Sequence, residues 1–166
     1  MDKFDLVVNE NPSTADIAHW HQLYENIRKN NYTINTFPLP FKLFELIANR
    51  SDWVVLELIP KREIELPGNN GRSVAMMFCQ KNGTTLNALL GGANYDYQED
   101  HRPYSCVLYE TVLYAKKHDF KLLNLGYTAD REKRKVGAQQ KTAYAFMQIQ
   151  DSFNMEVIMQ KEMSRI

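Results

Sequence analysis

The sequence predicts a mixed α/β (α+β) domain: a central mixed sheet of about six to seven strands flanked by helices on both faces. Three observations carry this. Two mid-chain runs, 53–59 (Trp-Val-Val-Leu-Glu-Leu-Ile) and 73–79 (Ser-Val-Ala-Met-Met-Phe-Cys), are apolar at successive positions, as strands covered on both faces are. Helical periodicities flank them on both sides. A later strand-type run, 120–125, is separated from the strand before it by a helical stretch, which calls for a parallel crossover. The 166 residues suit one domain spanning 1–166, and 44% hydrophobic with 24% charged residues is a globular composition, neither disordered nor repetitive.

Taken in order, residues 4–8 read as a short first strand. The stretch 12–16 (Pro-Ser-Thr-Ala-Asp) then supplies capping residues for a helix to about Lys29, with Ile17, Trp20, Leu23, Tyr24 and Ile27 at helical spacing. Pro38 and Pro40 fix a loop, and 41–47 forms a second short helix. After the strand at 53–59, residues 60–72 form a charged surface loop containing Pro67-Gly-Asn-Asn-Gly71. The strand at 73–79 leads into Lys81-Asn82-Gly83-Thr84, where Asn-Gly suits the two positive-φ positions of a type I′ hairpin turn. The second arm runs 84–90, and Gly91-Gly92 is expected to break it. Pro103 sits as a first-turn proline of a helix to about His118, with Val107, Leu108, Val112 and Ala115 inward. The strand 120–125 ends at Gly126, Thr128 to Asp130 cap a short basic helix that Gly137 stops, 142–150 reads as a last strand, and the tail from Phe153 as helix.

Composition also excludes functions. Twenty basic residues balance twenty acidic ones, which disfavours a general nucleic-acid binder. No run approaches the roughly 18 apolar residues of a membrane span, and the first residues lack a signal-type apolar run, so no membrane partner and a cytoplasmic location are expected. Cys79 and Cys106 make neither a disulfide framework nor a zinc spacing, and the four histidines show no metal pattern, so no metal is expected. The neutral sum conceals an asymmetry. Residues 114–141 hold eight basic side chains (Lys116, Lys117, Lys121, Arg131, Lys133, Arg134, Lys135, Lys141) against three acids (Asp119, Asp130, Glu132). That surplus suits a phosphate-bearing ligand at one end of the molecule.

The order of elements resembles the GNAT acyltransferase fold. Within it, Tyr109-x4-Tyr114-Ala115, Leu123-x-Leu125-Gly126, Thr128, Lys133 and Gly137-Ala138 resemble the divergent FemAB-type and GNAT-like acyltransferases. The resemblance implies transfer of an acyl group from a thioester, acyl-CoA (acetyl-CoA) or an acyl-carrier protein, to an amine acceptor. It also implies a backbone site for the donor carbonyl beside the fourth strand, where Gly91 and Gly92 lie, and an aromatic hydroxyl at Tyr109 able to protonate the leaving thiolate. Lys133, at the family position, together with Arg131 and Arg134, would hold donor phosphates. The sequence departs from the GNAT pattern at 97–104, which reads Tyr-Gln-Glu-Asp-His-Arg-Pro-Tyr in place of a glycine-rich pyrophosphate loop.

Two further candidates come from the residues themselves. Glu57 is the one charge inside an apolar strand and is a candidate general base. Arg102 immediately precedes the proline-led helix, where unpaired N–H groups and a guanidinium together suit an anion. The alternative to an enzyme is a non-catalytic GNAT-like module that binds a partner protein or domain, motivated by the missing glycines. Transfer from aminoacyl-tRNA is a minor third reading, and a homodimer or a neighbouring domain is expected to complete so small a chain.

Overall fold

The computed structural model describes residues 3–30, 38–127, 129–142 and 144. Their regular elements are β1 (Phe4–Asn9), α1 (Thr14–Asn30), α2 (Phe41–Ala48), β2 (Trp53–Pro60), β3 (Ala75–Asn82), β4 (Thr85–Ala93), α3 (Gln98–His101), α4 (Pro103–Lys117), β5 (Leu122–Asn124) and α5 (Asp130–Lys135). The five strands form one sheet in the order β1-β2-β3-β4-β5. The first four are antiparallel neighbours and β5 joins β4 in parallel, as the intervening helix requires. The expected strand at 142–150 and the expected helix from Phe153 fall mostly or wholly outside the described residues.

The apolar runs of β2 and β3 feed two cores. Val54, Leu56, Leu58, Ala75, Met77 and Cys79 face α4, where Val107, Leu108 and Ala115 meet them. Val55, Met76 and Phe78 face α1 and α2, where Ile17, Trp20, Leu23, Phe44 and Ile47 meet them. Helix α1 starts in a reciprocal cap: the Asp16 N–H donates to the Ser13 hydroxyl, and the Ser13 N–H donates to the Asp16 carboxylate at 2.8 Å.

Two local expectations are corrected. The hairpin loop is Gly83-Thr84, because Asn82 already pairs with Thr85. Among the non-glycine residues with positive φ Asn82 does not appear, whereas Gly83 has φ +55°, the single positive φ that a type II′ loop needs at its first central position. Gly91-Gly92 does not break β4 either. The strand continues to Ala93, with Gly91 opposite Met77 and Gly92 opposite Met76. The missing side chains serve packing instead: a methyl group at Gly92 would lie 2.7 Å from the Leu23 backbone, so the glycine lets α1 rest on β4.

Candidate functional site

The feature that sets β4 apart is the way it loses both partners' regularity over a few residues. Against β3 the register jumps between Phe78, opposite Leu90, and Cys79, opposite Ala88, so Leu89 is the extra residue of a β-bulge. Against β5 the parallel pairing covers only Thr85–Leu122, Leu86–Leu123 and Asn87–Asn124. Beyond Asn87 no strand among the described residues pairs with that side of β4, and this unpaired edge beside the bulge is the candidate cleft.

Polar side chains fix the root of this cleft. The Asn124 amide donates to the Asn87 Oδ1 at 3.2 Å, and the Gly126 N–H donates to the Asn124 Oδ1 at 2.9 Å. Gly126, at φ +68°, brings its backbone against the Ala88 carbonyl, which a Cβ there would approach to 3.3 Å. The far wall is formed by Leu125, Gly126 and Tyr127, and α5 begins at Asp130 behind its N-cap Ala129. Lys133 of α5 is only 7% exposed, and its ammonium donates to the Tyr127 carbonyl. Burial holds the Lys133 ammonium below the usual lysine range, with Asp130 opposing. Next to it the Ser105 hydroxyl donates to Glu132 at 2.6 Å, tying α5 to the first turn of α4. Hydrogen bonds from Lys135 and Ser105 keep the Glu132 carboxyl below the usual carboxylate range.

On the α4 face the cleft is lined by Tyr104, whose ring covers Gly91: a methyl group on Gly91 would meet the ring at 3.0 Å. Burial, aided by Tyr95 and Glu132, pushes the Tyr104 phenol up to about 12. The sequence does not single out Tyr104, because its neighbour Pro103 accounts for the position as first-turn geometry. Only the crossover that folds α4 over β4 brings it to Gly91. Ile27 of α1 also packs against the core that α4 covers.

The sequence-derived candidates separate into two groups. Gly91 lies in the cleft wall under Tyr104, and Gly92 is closed by α1. Arg131 and Arg134, with Asp130 and Lys135, line an open cavity of about 630 Å³ on α5, where Arg134 also donates to Gln140 at 2.6 Å. Arg102 is exposed in a left-handed conformation (φ 47°, ψ 57°) as the N-cap of α4, its guanidinium without a hydrogen-bond partner among the described residues. Lys133 turns inward to Tyr127 and away from that cavity. Tyr109 is half-buried on the flank of α4 four residues after Ser105, and its phenol has no hydrogen-bond partner among the described residues.

Glu57 lies elsewhere. It is on the α1 face of β2, two strands or about 10 Å from β4, and 7% exposed. The Trp20 indole donates to it at 2.7 Å and the Asn9 amide at 3.4 Å. These bonds tie α1 and β1 to β2. Burial also pushes up both thiols, Cys79 and Cys106, which disfavours the thiolate form. No helix among the described residues is long and apolar enough to cross a membrane.

No family model matches the sequence, and neither does any curated protein. Solved structures do match in shape. A GNAT-family acetyltransferase of Staphylococcus aureus superposes with a TM-score of 0.61 over 89% of this chain and 99% of its own, at 13% identity. The chain has the fold of the GNAT acetyltransferases. To this GNAT fold belong also an aminoglycoside acetyltransferase from an uncultured soil metagenomic sample, solved with sisomicin (TM-score 0.62, 8% identity, 90% of this chain and 98% of that one), and an aminoglycoside N-acetyltransferase solved with CoA (0.57, 5%, 89% and 97%).

Proposed function

We propose that the protein transfers an acyl group from a thioester of coenzyme A, or of a carrier-protein phosphopantetheine, to an amine. The observation that carries the reading is the candidate cleft: a bulge at Leu89 and, among the described residues, no strand paired with the β5 side of β4 beyond Asn87, beside a cationic α5. An unpaired strand edge offers N–H and C=O groups to an extended amide-bearing arm, and a bulge aims one such N–H out of the ladder at a carbonyl oxygen. The structural neighbours solved with CoA and with sisomicin, an amine-bearing ligand, support the same reading.

The residues divide the work as follows. The backbone of Leu89 to Gly91 binds and polarises the thioester. Arg131 and Arg134 on α5, with Arg102 at the start of α4, take the phosphates that a glycine-rich loop would otherwise hold; Ser105 and Glu132 keep those two helices together. The amine nitrogen attacks the carbonyl carbon, the carbon–sulfur bond breaks, Tyr109 of α4 gives its phenolic proton to the leaving thiolate, and the proton released by the nitrogen passes to solvent water, from which the Tyr109 phenolate is reprotonated. Glu57, held by Trp20 and Asn9 at two strands' distance, is assigned to structure and takes no step.

Isothermal titration with acetyl-CoA and with CoA tests the reading. Binding at micromolar to high-micromolar concentrations is expected, weakened in Arg131→Gln/Arg134→Gln. Absence of binding at millimolar acetyl-CoA by folded protein overturns the small-thioester version. Saturable binding that supports no transfer to any of a panel of amines favours the module that only binds.

A further inference from the structure

The geometry points to Lys133 as a positioning residue that sets the far wall of the cleft, rather than as a ligand for donor phosphate. Lys133 is the one lysine or arginine buried among the described residues, although α5 is otherwise a run of solvated charges. Its ammonium is spent on the Tyr127 carbonyl. A buried ammonium costs free energy unless it finds acceptors, so a charge kept here is being used to hold something.

What it holds is an unusual stretch of backbone. Gly126 at φ +68° and Ala129 at φ 51° bracket Tyr127, and Ala129 caps α5 without any side-chain hydrogen bond. An alanine in the left-handed region is strained, and such strain persists only where surroundings impose it. Three hydrogen bonds do so: Gly126 N–H to Asn124 at one end, Lys133 to the Tyr127 carbonyl in the middle, and the Lys133 N–H to the Ala129 carbonyl at the other. The outcome is that the Gly126 backbone is held against Ala88, next to the Leu89 bulge, while the Tyr127 side chain is 82% exposed beside the cleft. Lys133 thus acts through Tyr127 and Gly126 on the width of the cleft at the bulge.

The consequence for donor affinity rests on the acyl-transfer reading; the consequence for the loop does not. Two variants separate a positioning ammonium from a phosphate ligand. Lys133→Met removes the donor, and Lys133→Arg keeps the charge but carries a wider planar group that does not fit a buried point-donor slot. Hydrogen exchange of the amides at 125–129 is expected to speed up in both variants, with the β2 and β3 amides unchanged. Acetyl-CoA affinity at 10 °C, where both variants are folded by circular dichroism, is expected to fall about tenfold in both, as loss of a supporting shell does. The dependence of that affinity on salt is expected to keep the wild-type slope, whereas Arg131→Gln makes it shallower.

Wild-type affinity in Lys133→Arg, a shallower salt slope in Lys133→Met, or unchanged exchange at 125–129 would each overturn the assignment. Lowered melting temperature with wild-type affinity at 10 °C overturns it too, since a merely structural lysine does that. If Lys133→Met does not fold, Lys133→Arg and the shorter donor Lys133→Gln carry the same measurements. Should wild-type protein bind no acetyl-CoA, the acyl-transfer reading fails, and hydrogen exchange alone decides the role of Lys133 in the loop.

Discussion

The body of the sheet and the cleft at its edge are held by different forces. Under α1 and α2, Trp20, Phe44 and Phe78 are wholly buried and meet edge to face, Trp20–Phe78 at 5.4 Å and Phe44–Phe78 at 5.5 Å between ring centroids. Around the β4–β5 cleft the ties are polar, and most run to backbone groups: Asn124 to Gly126, Lys133 to Tyr127, with Ser105 to Glu132 between the helices. Apolar burial contributes most of the free energy but little direction. A charge-assisted hydrogen bond to a carbonyl contributes less and fixes a position. Stability is therefore expected to reside in the first region and the geometry of the site in the second.

The largest effect that tests this division is Trp20→Ala. It removes the largest fully buried aromatic of the body and leaves the Glu57 carboxylate without its 2.7 Å donor. A loss of about 3–5 kcal/mol is expected from the cavity alone, and a buried acceptor left unpaired adds about 1–3. Trp20→Phe keeps most of the apolar volume while losing the indole N–H, so its cost lies nearer that of the unpaired acceptor than that of the cavity. Urea unfolding measures both. Acetyl-CoA affinity of the folded fraction should not change in Trp20→Phe. A change there would mean that the body and the cleft are coupled through α1.

The border between the regions gives the next effect. At Gly92 an added methyl meets backbone, the Leu23 carbonyl carbon at 2.7 Å, as well as Met76 at 2.6 Å. At Gly91 it meets only side chains, Tyr104 at 3.0 Å and Met77 at 3.3 Å. Backbone cannot step aside and a methionine or tyrosine ring can, so Gly92→Ala is expected to cost about 1–3 kcal/mol in urea unfolding, and Gly91→Ala less. The reverse order would mean that Tyr104 is the more rigid neighbour and that the cleft, not α1, dictates the glycine pair.

The same division explains what could be read from the sequence. The body was legible because burial writes itself into periodicity: the stripe Ile17, Trp20, Leu23, Tyr24 is the buried face of α1, and the two continuous apolar runs are β2 and β3 with a core on each side. The parallel crossover and the proline-led α4 were legible for equally local reasons. The cleft was legible only in outline. Glu57 drew attention as a lone charge in a strand, yet its partners Trp20 and Asn9 lie 37 and 48 residues away, and no local pattern announces them. Lys133 stood out by its motif, but a basic run looks the same whether a lysine points to solvent or back under its own loop. The bulge at Leu89 is likewise a matter of register between two strands, which single-strand patterns do not contain.

Tyr104 gives the smallest effect and the sharpest reading of how dry the cleft is. Its phenol is raised to about 12 by burial, against about 10 in an unfolded chain. A folded-state value above the unfolded one means that the folded protein retains the proton while the unfolded chain releases it. The resulting stability is present in full below pH 10 and is lost as pH rises through the folded-state value. At pH 11 the difference amounts to at most about 1.4 kcal/mol, one pH unit's worth of linkage. Tyr104→Phe cannot lose it, so between pH 9 and 11 the urea midpoint of the wild type should fall further than that of the variant. The phenolate absorbance that the variant lacks should appear only above pH 11. Absorbance appearing near pH 10, with parallel midpoints, would mean that water reaches the ring over Gly91. In that case the cleft floor is open where the fold of the body is closed, and the thiolate's proton has a route from solvent that bypasses α4.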